Sequence, residues 1–145
     1  METITSKNNQ FIKKARSLHE KKYRDQENLY LIEGIRLAAE AISAHVELDF
    51  AFVNQKILGQ ERAVGIIEYL QDRQVPHYLV EDNLFSYCAG TVNPQGILLI
   101  AKKSVNSKEA LLSGGKSFWL LADNLQDPGN LGTILRTGWA AGSDG

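Results

Sequence analysis

The sequence predicts an α/β fold in which a small sheet is covered by helices on both faces over residues 1–103. Short apolar runs of strand length alternate there with longer segments whose apolar residues recur every three or four positions. This alternation is typical of a layered α/β domain. An apolar content of 43% is sufficient for an ordinary core. A second strand–helix unit is expected over residues 117–145, after a polar, glycine-containing linker over residues 104–116.

The elements of the first unit follow from the spacing of apolar residues along the chain. In Asn8–Lys22 they recur at intervals of three and four residues, as on one face of a helix. The run Gly96–Ala101 is continuously apolar, which indicates a strand buried on both faces. Arg24–Asn28 contains only charged and amide side chains and is expected to be a turn. Helices are predicted over Asn8–Lys22, Ile35–Ala44, Gln60–Arg73 and Glu81–Ala89, and strands over Leu29–Glu33, Leu48–Val53, Val75–Val80 and Gly96–Ala101.

The second unit is predicted from three consecutive features. Phe118–Ala122 is an apolar run of strand length, Asp127-Pro128-Gly129 is a polar turn, and Asn130 is a residue type that caps helix N-termini. Gly142 is expected just past the end of that helix. A strand, a tight loop and a helix N-terminus in this order form the usual ligand edge of an α/β sheet.

This second helix is expected to have one apolar and one polar side. The apolar side comprises Leu131, Ile134, Leu135 and Trp139, and the polar side comprises Asn130, Thr133, Arg136 and Thr137. A guanidinium on the polar side suits phosphate or carboxylate, because its planar fork donates two hydrogen bonds. On spacing alone, an ordinary turn followed by a solvated helix face explains the pattern equally well. The glycines match neither a dinucleotide fingerprint nor a phosphate-binding loop.

Charge is distributed unevenly along the chain. The net charge of −1 argues against a wholly basic nucleic-acid binder, but residues 7–24 hold seven basic residues against Glu20 alone. Such a stripe is the electrostatic footprint of a polyanionic partner, and a solvated helix face is the alternative. Tyr23 and Tyr30 lie in or near this stripe in the sequence, and their rings are candidates to stack on unpaired bases. Phe11 falls at helical spacing with core positions and is expected to belong to the core.

Several classes of site are not expected. The single cysteine, Cys88, excludes an internal disulfide and is interpreted as a small buried residue rather than a nucleophile. The three histidines lack the spacing of metal ligands, so no metal site is predicted. The longest apolar runs have five residues and cannot span a bilayer, and the N-terminus has no apolar signal region. A cytoplasmic protein without membrane contact is expected.

Two parts of the chain resemble a known family. Residues 127–137, which read Asp-Pro-Gly-Asn-Leu-Gly-Thr-Ile-Leu-Arg-Thr and are followed by Ala140-Ala141-Gly142, closely resemble the first motif of the SpoU (TrmH-like) RNA ribose methyltransferases of the SPOUT class. The N-terminal residues Ile4–Lys13 and Leu31–Gly34 are similar to the start of that family's substrate-binding domain. Thr91–Ile97 resembles its last strand. The resemblance covers nearly the whole chain.

The resemblance implies an L30e-like α/β/α sandwich over residues 1–103, which binds structured rRNA or tRNA. Residues 117–145 would then begin a trefoil-knot SPOUT domain, which transfers a methyl group from S-adenosylmethionine to a ribose 2′-hydroxyl. The family's two later motifs, which build the cofactor pocket, do not occur in these 145 residues. We therefore expect this chain to be inactive alone and assign no cofactor-binding residue. A homodimer is implied for the full-length family.

The resemblance also assigns site residues. Asn130 would place the target, and Arg136 would act in catalysis. A guanidinium is a poor free base because its pKa exceeds about 12. Arg136 would therefore either hold the adjacent phosphate and stabilise developing negative charge, or pass the proton onward. The expected RNA-binding residues are Asn9, Lys13, Lys14, Lys21, Lys22, Arg24 and Arg36.

Two other functions remain open at this stage. The chain would serve as a non-catalytic module for structured RNA if the cofactor pocket is never completed. Alternatively, it would be a small nucleotide-binding α/β protein that uses Asp127–Gly132 as its ligand loop. The missing glycine-rich phosphate fingerprint counts against the second alternative.

Overall fold

The computed structural model describes residues 1–104 and 118–144, and the chain divides into two compact units, 1–104 and 105–145. The first unit contains a mixed sheet of five strands with helices on both faces, which confirms the predicted α/β fold. Its strands are β1 (Glu2–Ile4), β2 (Leu29–Glu33), β3 (Leu48–Asn54), β4 (His77–Val80) and β5 (Ile97–Lys102). Its helices are α1 (Gln10–Ser17), α2 (Lys21–Glu27), α3 (Ile35–Ser43), α4 (Glu61–Asp72) and α5 (Asp82–Cys88).

The sheet has the order β1-β4-β3-β5-β2. β1, β4 and β3 run parallel, whereas β5 pairs antiparallel with both β3 and β2. Side chains alternate between the two faces along each strand. In β3, Phe50 and Phe52 point to one face while Ala51 and Val53 point to the other. Residues 97–101 of β5 are all buried, as predicted for a strand covered on both faces.

Two separate cores cover the two faces of the sheet. On one face α1 and α5 bury Ile12, Leu18 and Phe85 against the phenylalanines of β3. On the other face α3 and α4 bury Ala38, Ile66 and Leu70. Phe11 extends the first core, because its ring lies 4.5 Å from that of Tyr78 and 5.1 Å from that of Phe50, centroid to centroid. The expectation that Phe11 belongs to the core is therefore confirmed.

The N-terminal region differs from the prediction in three ways. β1 was not predicted, since its three residues bury only Ile4 and its pairing with β4 depends on tertiary contact. The predicted single helix Asn8–Lys22 is wrong, because α1 ends at Ser17 and α2 begins at Lys21. The predicted turn Arg24–Asn28 is mostly helix. α2 ends at Glu27, and the next residue, Asn28, is in the left-handed conformation with a φ of 53°.

In the second unit the described helix is α6 (Pro128–Ala140). The prediction that Asn130 caps it is wrong: Pro128 occupies the first turn and the Asp127 carboxylate accepts a hydrogen bond from the Asn130 N–H at 2.6 Å. Gly142 has a φ of 80° just past the helix, as predicted.

The predicted strand Phe118–Ala122 is also wrong. Residues 118–122 form no strand, because within the described residues they have no neighbouring strand with which to form a ladder. Phe118 instead exchanges hydrogen bonds with Asp144, at 2.7 and 3.1 Å. Of the predicted linker 104–116, only Ser104 lies inside the described residues.

Two glycine substitutions test the fold in opposite directions. Gly96 has a φ of 86°, and an added Cβ would lie 2.7 Å from Cγ2 of the buried Ile57. Gly96→Ala should therefore lower the free energy of unfolding by about 2 kcal/mol or more. Gly65 lies within α4 and faces open space, so Gly65→Ala should raise it by about 0.5–1 kcal/mol. Urea unfolding followed by circular dichroism measures the free energy of unfolding of both variants. Equal changes in this free energy would contradict the described packing.

Candidate functional site

A basic surface lies on the outer side of α1 and α2. Ile12, Ala15 and Leu18 face the core, so the intervening Lys13 and Arg16 are exposed. Lys21 and Lys22 are exposed in the first turn of α2. None of these four cations forms a salt bridge with an acidic side chain among the residues that the structure describes. We use the name basic surface for Lys13, Arg16, Lys21 and Lys22.

Three residues that are predicted to contact RNA have hydrogen-bond or ion-pair partners within the chain. The Asn9 side chain accepts a hydrogen bond from the Phe11 N–H at 2.8 Å and so caps α1. Lys14 pairs with Asp49 at 3.0 Å, and both side chains are about one-third exposed. Arg24 donates to the carbonyls of Leu18 and His19, at 2.9 and 2.7 Å. The other predicted residues are exposed and form no such contact within the described part of the chain: Lys13, Lys21, Lys22 and Arg36.

Arg36 lies apart from the basic surface. It belongs to α3, which packs on the opposite face of the sheet from α1. There it lines a shallow cleft together with Glu33, Thr91 and Gln95. The structure thus does not bring Arg36 together with the lysines of α1 and α2.

A polar network, which the sequence analysis did not predict, lies at the carboxyl ends of β3 and β4. Asn54 is buried; its amide donates to Asp82 at 2.9 Å and its oxygen accepts from the Lys56 N–H at 2.8 Å. Lys56 also forms a salt bridge with Asp82. The hydrogen bonds from Lys56 and Asn54 hold the pKa of the Asp82 carboxyl below its usual value. The only sequence signal was that Asn54 and Asp82 each stand at the end of a strand.

The same edge of the sheet carries a firmly anchored loop. The Glu33 carboxylate accepts hydrogen bonds from the Gly90 N–H, at 2.7 Å, and from the Thr91 hydroxyl. The Gln95 side chain accepts one from the Ile35 N–H at 3.2 Å. This loop borders a polar cleft of about 670 Å³. The network and the loop are therefore both held in place by hydrogen bonds at this end of the sheet.

Cys88 is buried, as predicted. Burial raises the pKa of its thiol to about 11, so the thiolate needed for nucleophilic chemistry is scarce at neutral pH. Residues 1–104 and 118–144 contain no group of three or more His, Cys, Asp or Glu side chains arranged to hold a metal ion. Within the same ranges, no helix is long and apolar enough to cross a membrane.

In the second unit, short-range contacts organise the polar side of α6. The Thr133 hydroxyl donates to the Gly129 carbonyl at 2.9 Å, and Arg136 donates to Thr133 Oγ1 at 3.2 Å. A Cβ on Gly132 would lie 3.2 Å from Arg136 Nη1, so the missing side chain gives the guanidinium room. Asn130 and Arg136 are both exposed. The predicted polar side is therefore present, with Arg136 held along it.

The apolar side of α6 is less covered than its sequence pattern suggests. Gly138 is buried, and an added Cβ there would contact Leu120 at 3.5 Å and Ser143 at 3.2 Å, which explains a glycine at this position. Leu135 and Trp139 remain 56% and 82% exposed.

Comparison with known proteins identifies the family. Residues 9–99 match the MRM3-like substrate binding domain. The chain is 33% identical over 143 residues, 99% of its length, to an uncharacterized tRNA/rRNA methyltransferase of Synechocystis. This chain belongs to the SpoU (TrmH-like) RNA methyltransferase family. It is also 34% identical over 145 residues to the Bacillus subtilis 23S rRNA (guanosine(2553)-2′-O)-methyltransferase RlmP. It covers 51% and 53% of these relatives, about half their length.

Solved structures of this family have the same fold. An rRNA methyltransferase from Sinorhizobium meliloti superposes with a TM-score of 0.79 at 25% identity, over 98% of this chain and 52% of that protein. A structure of the same S. meliloti protein with AdoMet bound gives 0.78. An RNA 2′-O ribose methyltransferase gives 0.72 at 30% identity, over 97% of this chain and 53% of that one.

Substitution of Arg24 tests its structural role. Arg24→Ala removes two hydrogen bonds to carbonyls at the end of α1 and should lower the free energy of unfolding by about 1–3 kcal/mol. Lys22→Ala, which removes an exposed cation two positions away, should change it by less than about 0.5 kcal/mol. Urea unfolding compares the two variants. Equal stabilities would show that Arg24 does not hold α1 and α2 together.

Proposed function

We propose that the chain is the RNA-recognition part and the first catalytic motif of an S-adenosylmethionine-dependent ribose 2′-O-methyltransferase that acts on rRNA or tRNA. Residues 1–103 recognise the RNA, residues 104–116 are a linker, and residues 117–145 begin the catalytic domain. The match of residues 9–99 to a substrate binding domain carries this proposal. A homodimer of the full-length protein and a cytoplasmic location belong to the same proposal and stand on the family resemblance.

The charge pattern of the first unit supports RNA recognition. The basic surface presents four cations that form no salt bridge with an acidic side chain of the described residues. Lysine and arginine side chains of this kind pair with phosphates and release the counterions condensed on a nucleic acid. Because Lys14 and Arg24 are engaged elsewhere, their charges contribute less. RNA binding is therefore assigned to Lys13, Arg16, Lys21 and Lys22.

The second unit supplies one part of the chemistry. In the proposed reaction the ribose 2′-oxygen would form a bond to the methyl carbon as the S–CH₃ bond of S-adenosylmethionine breaks. The sulfur would leave as a neutral thioether, and the hydroxyl proton would pass to solvent. Arg136 stays charged throughout, so it acts by holding a phosphate and stabilising negative charge rather than as a free base. Its hydrogen bond to Thr133 limits the orientations of the guanidinium. Asn130, one turn before Thr133, places the target ribose.

The nucleotide-binding alternative fits the second unit poorly. Phosphate sites at helix N-termini require free backbone N–H groups. The Asp127 carboxylate already accepts from the Asn130 N–H and puts a negative charge at this end of α6. The same carboxylate would repel an anionic group of a cofactor, and we assign no residue of this chain to cofactor binding.

Charge reversal on the basic surface tests RNA recognition. Lys13→Glu with Lys22→Glu should weaken binding to a structured rRNA fragment, and the slope of log K against log salt should flatten by about 0.7–0.9 for each lost phosphate contact. Arg62→Glu with Arg73→Glu makes the same change in net charge on α4 and on the residue that follows it, across the sheet, and should have little effect. Binding is measured by fluorescence anisotropy at several salt concentrations. If both variants lose RNA affinity equally, the loss is an effect of net charge and not of the basic surface.

Substitution of Arg136 tests the catalytic assignment in a full-length protein that contains this segment. Arg136→Ala should reduce methyl transfer about 10²–10³-fold, as loss of one preorganised donor does in other enzymes, with RNA affinity unchanged. Arg136→Lys keeps the charge but loses the planar fork, and should restore only part of the rate. Transfer of a labelled methyl group to RNA gives the readout. Full activity of Arg136→Ala would favour a non-catalytic role for the segment.

A further inference from the structure

Three side chains from different parts of the sequence meet on the surface of the first unit. Tyr87, on α5, is 40% exposed. Lys7 Nζ lies 4.9 Å from the centroid of its ring, and Arg16 Cζ lies 5.2 Å from it. Both cations belong to the charged stripe over residues 7–24, whereas Tyr87 lies far from that stripe in the sequence.

The cations at this tyrosine retain their charge for a ligand. Neither Lys7 nor Arg16 forms a salt bridge with an acidic side chain in the described part of the chain. Each contacts the negative face of an aromatic ring instead, an interaction worth about 0.5–1 kcal/mol at exposed sites. An anion of higher charge density, such as a phosphate, competes readily with so weak a contact. The ring would then become available to another planar group.

The tyrosine is held in place by the helix that carries it. The neighbouring residues Leu84, Phe85 and Cys88 are buried in the core. The His19 ring contacts the Cys88 carbonyl at 2.8 Å, which ties the end of α1 to the end of α5. Tyr87 therefore projects from a rigid element, which lowers the entropic cost of stacking a ligand on it.

The site is continuous with the basic surface. Arg16 lies one helical turn beyond Lys13 on α1, and side chains at that spacing are neighbours. A second aromatic lies under a cation of the same surface, because Lys22 Nζ is 5.8 Å from the ring centroid of Tyr23. A basic groove interleaved with aromatic rings is typical of surfaces that bind single-stranded nucleic acid, where phosphates contact the cations and bases stack on the rings.

We propose that Tyr87, with Lys7 and Arg16, forms a binding site for one unpaired nucleotide of the RNA substrate. The base stacks on the tyrosine ring, and the two cations contact its flanking phosphates. This inference rests on the proposed function and adds to it the part of the substrate that is recognised, a loop or bulge rather than a continuous duplex. Stacking tolerates all four bases, so the site selects for an unpaired base and not for its identity.

The test uses the 145-residue chain and two RNA probes, a hairpin with 2-aminopurine in its loop and a continuous duplex containing the same stem. Tyr87→Leu should weaken hairpin binding about 5- to 150-fold, the equivalent of one lost stacked base. Tyr87→Phe keeps the ring and should bind within about twofold of the parent. Parent protein should also change the 2-aminopurine fluorescence on binding, and Tyr87→Leu should lose that change. Duplex affinity should be the same for all three proteins.

The chain offers a matched control for the loss of a ring. Tyr69, on α4, has Arg73 at 5.7 Å and forms a similar pair in the layer on the other face of the sheet. Tyr69→Leu should leave both affinities unchanged. Lys7→Gln with Arg16→Gln keeps the Tyr87 ring and should weaken hairpin binding with a flatter salt dependence. This double variant tests the site even if Tyr87→Leu fails to fold.

The possible outcomes separate this inference from the proposed function. Hairpin binding by Tyr87→Leu equal to that of the parent, or equal losses for hairpin and duplex, would overturn the nucleotide site. A loss in Tyr87→Phe as large as in Tyr87→Leu would overturn stacking as its basis. RNA binding that is unaffected by Lys13→Glu with Lys22→Glu, together with absence of methyl transfer by the full-length protein, would overturn the proposed function itself.

Discussion

The structure depends most on a strand pair that is buried along most of its length. β3 and β5 lie side by side in the sheet, and residues 97–101 of β5 are buried on both faces. Apolar surface on both faces must be covered, and at about 25 cal/mol per Å² this burial outweighs any surface contact. One layer is therefore built from α1 and α5 and the other from α3 and α4. This division places Lys13 and Arg16 in one layer and Arg36 in the other.

Packing of the apolar core determines where the charged side chains lie, and the charges do not determine the packing. Exposed ion pairs contribute only about 0–1 kcal/mol, whereas α1 must bury Ile12, Ala15 and Leu18. Lys13 and Arg16 consequently point outward, and Lys14, at the flank, reaches Asp49. Arg36 belongs to the layer on the other face and so lies away from the basic surface. Only some cations of the charged stripe therefore lie together on one surface. Tyr87 lies beside them because α5 packs next to α1.

The motif on α6 is organised differently, because its contacts are local. Asp127 bonds to Asn130, Thr133 to Gly129 and Arg136 to Thr133, each over three or four residues. Gly132 leaves space for the guanidinium of Arg136. These interactions require the helix but no distant partner. Because these contacts lie within a short segment, the polar side of this helix can be predicted from the sequence.

Four features could be predicted from the amino-acid sequence: the α/β class, the buried strand β5, the polar side of α6 and the family resemblance. Each depends on periodicity or on contacts within one or two helical turns. Tertiary contacts determine that β1 joins the sheet, that α1 ends at Ser17, and that Tyr87 meets Lys7 and Arg16. Propensities near such boundaries differ by less than about 1 kcal/mol, so burial of distant side chains and the hydrogen bonds available in the folded chain select the outcome.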